Sequence, residues 1–440
     1  MGAALNDIGP AMGASPAGST GVQADPGRIA GAVIMARTAE FFDFFVYGIA
    51  SVLVFPKLFF PDSDPVTATM QSFAVFSLAF VARPVGSLIF MAIDRQYGRA
   101  AKLIVALFLL CGSTMAISFL PGYATLGVLA PLLLALFRIG QGLGLGGAWD
   151  GLVSLLALNA PPERRSWYAM IPQLGAALGF MLASGLFIVF SHTLSSAEFL
   201  AWGWRFPFFV ALALNVVALF SRLRLIVTPE FEELYEEREL QPMPYLETLR
   251  VHGRTILVGA FVPLASYAMF HIVTVFPLGW IALNTRQNPA QFLEAQFFGA
   301  VLAAGTMVLS GIIADRIGRR SQLGIGAALI AAFSFFTAPL LGSGENGSFT
   351  FVLIGFALLG LSFGQASGAL ASRFSAGYRY TGAAITTDIA WLIGAGFAPI
   401  VALGLSTRFG LMFAGFYLLS GALCTLAALA VAKRLETDRG

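Results

Sequence analysis

Seven charged residues lie inside stretches that are otherwise apolar: Arg37, Glu40, Asp43, Arg83, Arg138, Asp150 and Asp388. Glu40 and Asp43 stand at i and i+3, which puts both carboxylates on one face of a helix. Two carboxylates close together in a low dielectric resist simultaneous ionisation, as a group that takes up and releases protons requires. Asp388, the one acid deep inside the apolar segments of the second half, and Asp150 are the further candidates for that exchange. Arg37, three residues before Glu40, offers the opposing reading, a structural neutralisation of that carboxylate. Arg138 is followed one turn later by Gln141, and a guanidinium fork can hold a carboxylate through two parallel hydrogen bonds. Its bland alternative is an internal ion pair with Asp43 or Asp388. Arg83 has the same chemistry, and its neighbour Pro84 implies a bend. Arg37, Gln173 and His271 complete the candidate ligand contacts; a lone His in an apolar helix is ordinarily a satisfied polar contact. The histidines (His192, His252, His271) and cysteines (Cys111, Cys424) have no ligand spacing, so neither a metal site nor a disulfide framework is expected.

The elements that must hold these groups are set by composition. The chain has 440 residues, of which 58% are hydrophobic and 11% charged, and its mean hydropathy is +0.81. A soluble domain carries about 25% charged residues, so a water-facing enzyme is excluded and lipid must solvate most of the chain. Each charge at mid-bilayer costs roughly 2.5–3.5 kcal/mol, and seven would cost on the order of 20 kcal/mol. They must pair with one another or face a wet cavity.

Apolar runs near 20 residues are expected at 29–54, 68–93, 101–120, 125–157, 167–191, 200–226, 255–282, 292–314, 321–341, 348–372, 378–405 and 409–433. These are twelve transmembrane helices, spans 1 to 12, an all-α membrane protein of two six-helix bundles. The expected organisation is a flexible tail 1–28 without signal-peptide character, a first bundle 29–226, a charged linker 227–254, a second bundle 255–433 and a short tail 434–440. With both termini cytoplasmic, the inside loops and tails hold 19 of the 26 Lys and Arg and the outside loops hold 4. The positive-inside bias therefore places both ends in the cytoplasm of a multi-pass protein of the cell membrane. Gly142-Leu143-Gly144-Leu145-Gly146-Gly147 matches a dinucleotide fingerprint formally, but it lies inside an apolar helix, so nucleotide binding is rejected. Its small residues are expected to seat span 4 closely against span 1 or 5.

The halves echo each other: Asp94-Arg95-Gln96-Tyr97-Gly98-Arg99 follows span 2, and Asp315-Arg316-Ile317-Gly318-Arg319-Arg320 follows span 8. Two six-helix repeats are a transporter architecture. The second of these loops, with Gly311 before it, resembles the hairpin motif of the major facilitator superfamily. Within that superfamily the chain resembles the metabolite:proton symporters at Glu40-Phe41-Phe42-Asp43-Phe44, Arg83-Pro84-Val85-Gly86, Arg138-Ile139-Gly140-Gln141-Gly142, Gly146-Gly147-Ala148-Trp149, Pro172-Gln173-Leu174-Gly175, Trp202-Gly203-Trp204-Arg205-Phe206-Pro207, Arg379-Tyr380-Thr381-Gly382 and Gly396-Phe397-Ala398-Pro399. It departs at Ala148 and Ser372, where the family carries Glu, at Asp388, where it carries Asn, and at Arg37, where it carries a small residue.

The resemblance implies a proton-coupled symporter that imports a small organic acid or zwitterion by alternating access, with protons as the coupling ion and no other cofactor. A proton antiporter exporting an organic compound or drug, and a transport-inactive sensor of the same fold, are the rivals. The expected partners are a carboxylated small molecule and the bilayer, with no nucleic acid and no obligate protein partner. The resemblance also implies a cytoplasmic gate of Asp94, Arg95, Arg99, Arg165, Asp315, Arg316, Arg319, Arg320 and Arg379, in which Asp94 pairs with Arg165 and Asp315 with Arg379.

Overall fold

The computed structural model describes residues 26–148, 156, 160–225, 241–366 and 374–437. In hydrocarbon a backbone must satisfy its own hydrogen bonds, and the long apolar runs do so as helices. Span 1 is Pro26–Leu53, spans 2 and 3 share Pro65–Phe119, span 4 is Leu129–Gly147, span 5 Arg165–Thr193 and span 6 Phe206–Leu225. Span 7 is built from Tyr245–Phe261, Leu264–Val273 and Val275–Asn284. Span 8 is Pro289–Ile317, span 9 Arg319–Ser334 and span 10 Gly344–Phe363. Span 11 joins Arg379–Trp391 to Ala398–Phe409 through a π-helical turn at Leu392–Gly396, and span 12 is Met412–Thr437.

Among the described residues nine helices are long and apolar enough to cross a membrane, and Pro65–Phe119 carries two of the expected crossings. Two crossings fall outside that group for visible reasons. Span 1 carries Arg37, Glu40 and Asp43 in its interior, and span 9 has only 16 residues before a turn leads to Thr337–Leu341. The outer surface is apolar, with Phe108, Leu132, Phe220 and Phe298 exposed, while Asp43, Arg138, His271 and Asp388 are buried. That distribution suits a lipid solvent.

The hairpin echo is structural. Gly98 (φ 82°) breaks Pro65–Phe119 into its two spans, and Gly318 (φ 86°) separates spans 8 and 9. Both take the left-handed φ that a side chain disfavours. The halves meet along span 5 with span 8, span 2 with span 11, and span 1 with span 7.

Three expectations are corrected. Span 7 begins at Tyr245, ten residues early, because Tyr245 and Leu249 pack on Ile256, Phe374 and Ile385. The expected linker residues 245–254 are therefore helical. Span 7 is also broken twice, at Val262-Pro263 and at Thr274. Thr425 Oγ1 accepts from Ala265 N (2.8 Å) at the first break, and Gln296 Nε2 donates to the carbonyls of Val273 and Thr274 (2.7 Å each) at the second. Finally, the glycines of span 4 face spans 2 and 3, and not span 1 or 5. A Cβ on Gly142 would lie 2.3 Å from the Ala79 carbonyl, one on Gly146 2.3 Å from that of Arg83, and one on Gly86 2.3 Å from that of Leu143.

Candidate functional site

The buried charges gather where spans 1, 2, 4 and 11 meet. A cavity of about 30 Å³, room for little more than water, is lined by Arg37, Glu40, Arg83, Phe41, Phe44, Ala79, Phe80, Leu145 and Trp391. Glu40 Oε2 binds Arg37 Nη1 at 2.7 Å and lies 3.4 Å from Arg222 Nη2. Arg83 Nε lies 2.8 Å from Asp388 Oδ1, and Ser87 Oγ donates to the other carboxylate oxygen of Asp388. Arg222 also donates to the Ala148 carbonyl at the end of span 4 (2.8 Å). Three guanidinium groups thus surround two carboxylates in this cluster, among the described residues. Asp150, the further acid expected here, lies outside them.

A second set lies farther along the same helices. Arg138 Nη1 donates to Gln141 Oε1 (3.0 Å), Gln141 Nε2 to Thr114 Oγ1 (2.8 Å), and Thr114 Oγ1 to Asp43 Oδ1 (2.9 Å). Arg138 Nε donates to the Phe76 carbonyl (3.2 Å), and the guanidinium lies over the Tyr47 ring at 3.9 Å. His271 is fully buried and ringed by Phe44, Phe76, Phe80 and Phe270 at 5.2–6.0 Å.

Several pairings differ from expectation. Glu40 and Asp43 do not share a site: Glu40 reaches Arg37 and span 6, while Asp43 turns to span 3. Asp388 pairs with Arg83, not Arg138, because span 11 lies against span 2. Among the described residues the hydrogen-bonded link from Arg138 to Asp43 runs through Gln141 and Thr114. His271 is no satisfied contact, since neither ring nitrogen has a hydrogen-bond partner among the described residues. Gln173 is buried on span 5 and does not line the cavity. Arg222 and Lys102 read from sequence as loop charges; both are buried in ion pairs. No sequence signal marked them, or Ser87 and Thr114, because each lies at a spacing any helix face supplies.

The gate also crosses differently. Asp315 Oδ1 accepts from Ser166 N (2.8 Å), and Trp167 N lies 3.3 Å from its other oxygen, so an acid of the second half caps span 5 of the first. Arg319 donates to the Arg165 carbonyl beside it. Asp94 lies 3.0 Å from Lys102 Nζ and 3.9 Å from Arg99 Nε, and Lys102 donates to Tyr380 Oη (2.8 Å) on span 11. Each hairpin therefore ties to the opposite half, Asp315 to span 5 instead of Arg379 and Asp94 toward span 11 instead of Arg165. Arg379 opens span 11 beside Tyr380, and Arg320 donates to the Leu429 carbonyl of span 12 (2.6 Å). Arg95, Arg165 and Arg316 are exposed. On the face away from the termini a cleft of about 430 Å³ opens between spans 1, 2 and 7.

Residues 29–244 match the family model described as sugar (and other) transporter. The chain is 42% identical to an inner membrane metabolite transport protein of Escherichia coli, over 90% of this chain and 92% of that one. It is 30% identical to the shikimate transporter of E. coli, over 94% of each. Its fold is similar to that of the xylose transporter of E. coli, described as a proton:xylose symporter, with a TM-score of 0.69 at 17% identity over 93% and 95% of the two chains.

Proposed function

The chain belongs to the major facilitator superfamily, among its metabolite transporters, and from that premise we propose a proton-coupled symporter that imports a small organic acid or zwitterion by alternating access. The observation that carries this reading is the buried pair of Arg83 and Asp388 beside the cavity that Arg83 lines, a guanidinium held by a carboxylate that an anionic ligand can replace. A substrate carboxylate takes the fork of Arg83 in place of Asp388. Asp388, almost fully buried, would then be a lone charge, at a cost of several kcal/mol. Taking a proton removes that cost, so substrate and proton enter the cluster together. Release of the Asp315 and Lys102 ties opens the terminal face, which the excess of Lys and Arg assigns to the cytoplasm. Protons are the coupling ion, and no other cofactor is needed.

The test is uptake into proteoliposomes of labelled shikimate, succinate and glycine betaine under an imposed inward proton gradient. Accumulation should collapse with a protonophore while counterflow continues. Accumulation that survives the protonophore and follows sodium refutes proton coupling, and efflux driven by inward protons favours the antiporter.

A further inference from the structure

We propose that Tyr47, Arg138 and His271 form a second, inner station that binds a substrate carboxylate, separated from the cavity of Arg37, Glu40 and Arg83 by the rings of Phe44 and Phe80. The inference rests on the transport reading above and says where within the path the ligand is held. Three helices place the station independently. Tyr47 follows Glu40 by seven residues on span 1, Phe76 precedes Arg83 by seven on span 2, and Arg138 precedes Leu145 by seven on span 4. At 1.5 Å per residue each offset is about 10 Å. All three run away from the face that carries the termini, since span 1 runs away from that face and spans 2 and 4 run toward it.

The station holds three buried polar groups with unmet hydrogen-bonding capacity: Tyr47 Oη, Arg138 Nη2 and both ring nitrogens of His271 have no partner among the described residues. All three residues are fully buried. They surround common rings, with Arg138 4.9 Å from the Phe76 ring and 5.7 Å from that of Phe44, and His271 5.4 Å from each. A buried donor without a partner costs about 1–3 kcal/mol, and three in one place are explained by a ligand that completes them in another state of the cycle. Arg138 only donates, Tyr47 donates, and a neutral imidazole donates from one nitrogen. The group that satisfies all three is a carboxylate, and the aromatic walls suit the apolar body behind it. Phe44 and Phe80 line the cavity and contact His271, so their side chains are the partition that must turn aside for the ligand to pass.

The test uses two shape-preserving variants, Tyr47→Phe and His271→Phe, with purified protein and benzoate, shikimate and succinate as probes. Groups idle at rest but used in the bound state give opposite signs in two measurements. Thermal stability without ligand should stay level or rise in both variants, because an unmet buried polar group is removed. Affinity for the bound acid should fall about tenfold or more in each, as loss of a hydrogen bond to a charged group predicts. Arg83→Gln serves as the comparison in the cavity. Wild-type affinity in both variants, with affinity lost in Arg83→Gln, overturns the inner station alone. Variants that lose stability without ligand show that the groups are structural and also overturn it. If the wild-type protein binds none of the three acids, the carboxylate reading falls as well.

Discussion

Replacing Asp388 by Asn tests the pairing on which the proposed proton coupling depends. The new side chain is nearly isosteric, so packing against span 2 survives, and the carbonyl oxygen can still accept from Ser87. What is lost is the charge 2.8 Å from Arg83 Nε, on a carboxylate that is 3% exposed. Two unit charges about 4 Å apart at an effective dielectric near 20 attract by about 4 kcal/mol, and removing one partner of a buried pair costs about 3–5 kcal/mol. The Arg83 side chain is only 13% exposed, so water restores little of this. Thermal or denaturant unfolding of the wild type, Asp388→Asn, Arg83→Gln and the double variant closes a cycle. Each single variant should be destabilised by a few kcal/mol, and the double variant should recover at least 1 kcal/mol relative to their sum. In liposomes Asp388→Asn should retain counterflow and lose accumulation driven by an inward proton gradient. Coupling energy below about 0.5 kcal/mol, or wild-type accumulation in Asp388→Asn, refutes the reasoning.

Asp315→Ala removes the acid that caps span 5. A charged cap is worth about 1 kcal/mol, so a cysteine introduced at Ala79 in a protein lacking Cys111 and Cys424 should label roughly fivefold faster from the terminal face; an unchanged rate counts against the latch. Gln296→Met strips the donor from two buried carbonyls at the Thr274 break and should cost about 2 kcal/mol in unfolding experiments, with surface expression reduced accordingly. Thr114→Val keeps the shape of the side chain but severs Gln141 from Asp43, and should cost about 1–2 kcal/mol and alter the pH dependence of uptake; an unaltered profile removes Asp43 from the proton path.

The spans were legible because lipid imposes one rule on every helix, a long apolar run, and that rule is written locally. The seven buried charges were legible for the same reason, each being an exception to it. Their partners were not. Periodicity tells that Glu40 and Asp43 share a face, but the direction each takes depends on which helix lies across from it. Asp43 found Thr114, and Asp388 found Arg83, because of helix neighbours that no local pattern encodes. Both breaks in span 7 have a proline beside them, Pro263 at the first and Pro277 at the second, where it cannot donate to the Val273 carbonyl four residues back; what no local pattern shows is that Gln296, over 20 positions away, takes up the freed carbonyls. Lys102 and Arg222 looked like topological charges because they end helices, and only the bundle shows that they turn inward.

The glycine contacts between spans 2 and 4 make a plank of those two helices. With Gly86, Gly142 and Gly146 each pressed against a facing backbone, neither helix can slide or tilt on the other without collision. Arg83 and Arg138 both ride on that plank, so the separation of their backbones is held by it. Under the alternating access proposed above, spans 1, 7 and 11 would travel over a fixed floor, and the plank would measure every ligand with the same ruler. Lengthening or shortening the cargo would have to be met by side-chain changes on the moving wall, where Trp391 and His271 stand, while even one methyl group added at Gly142 would wedge the floor apart.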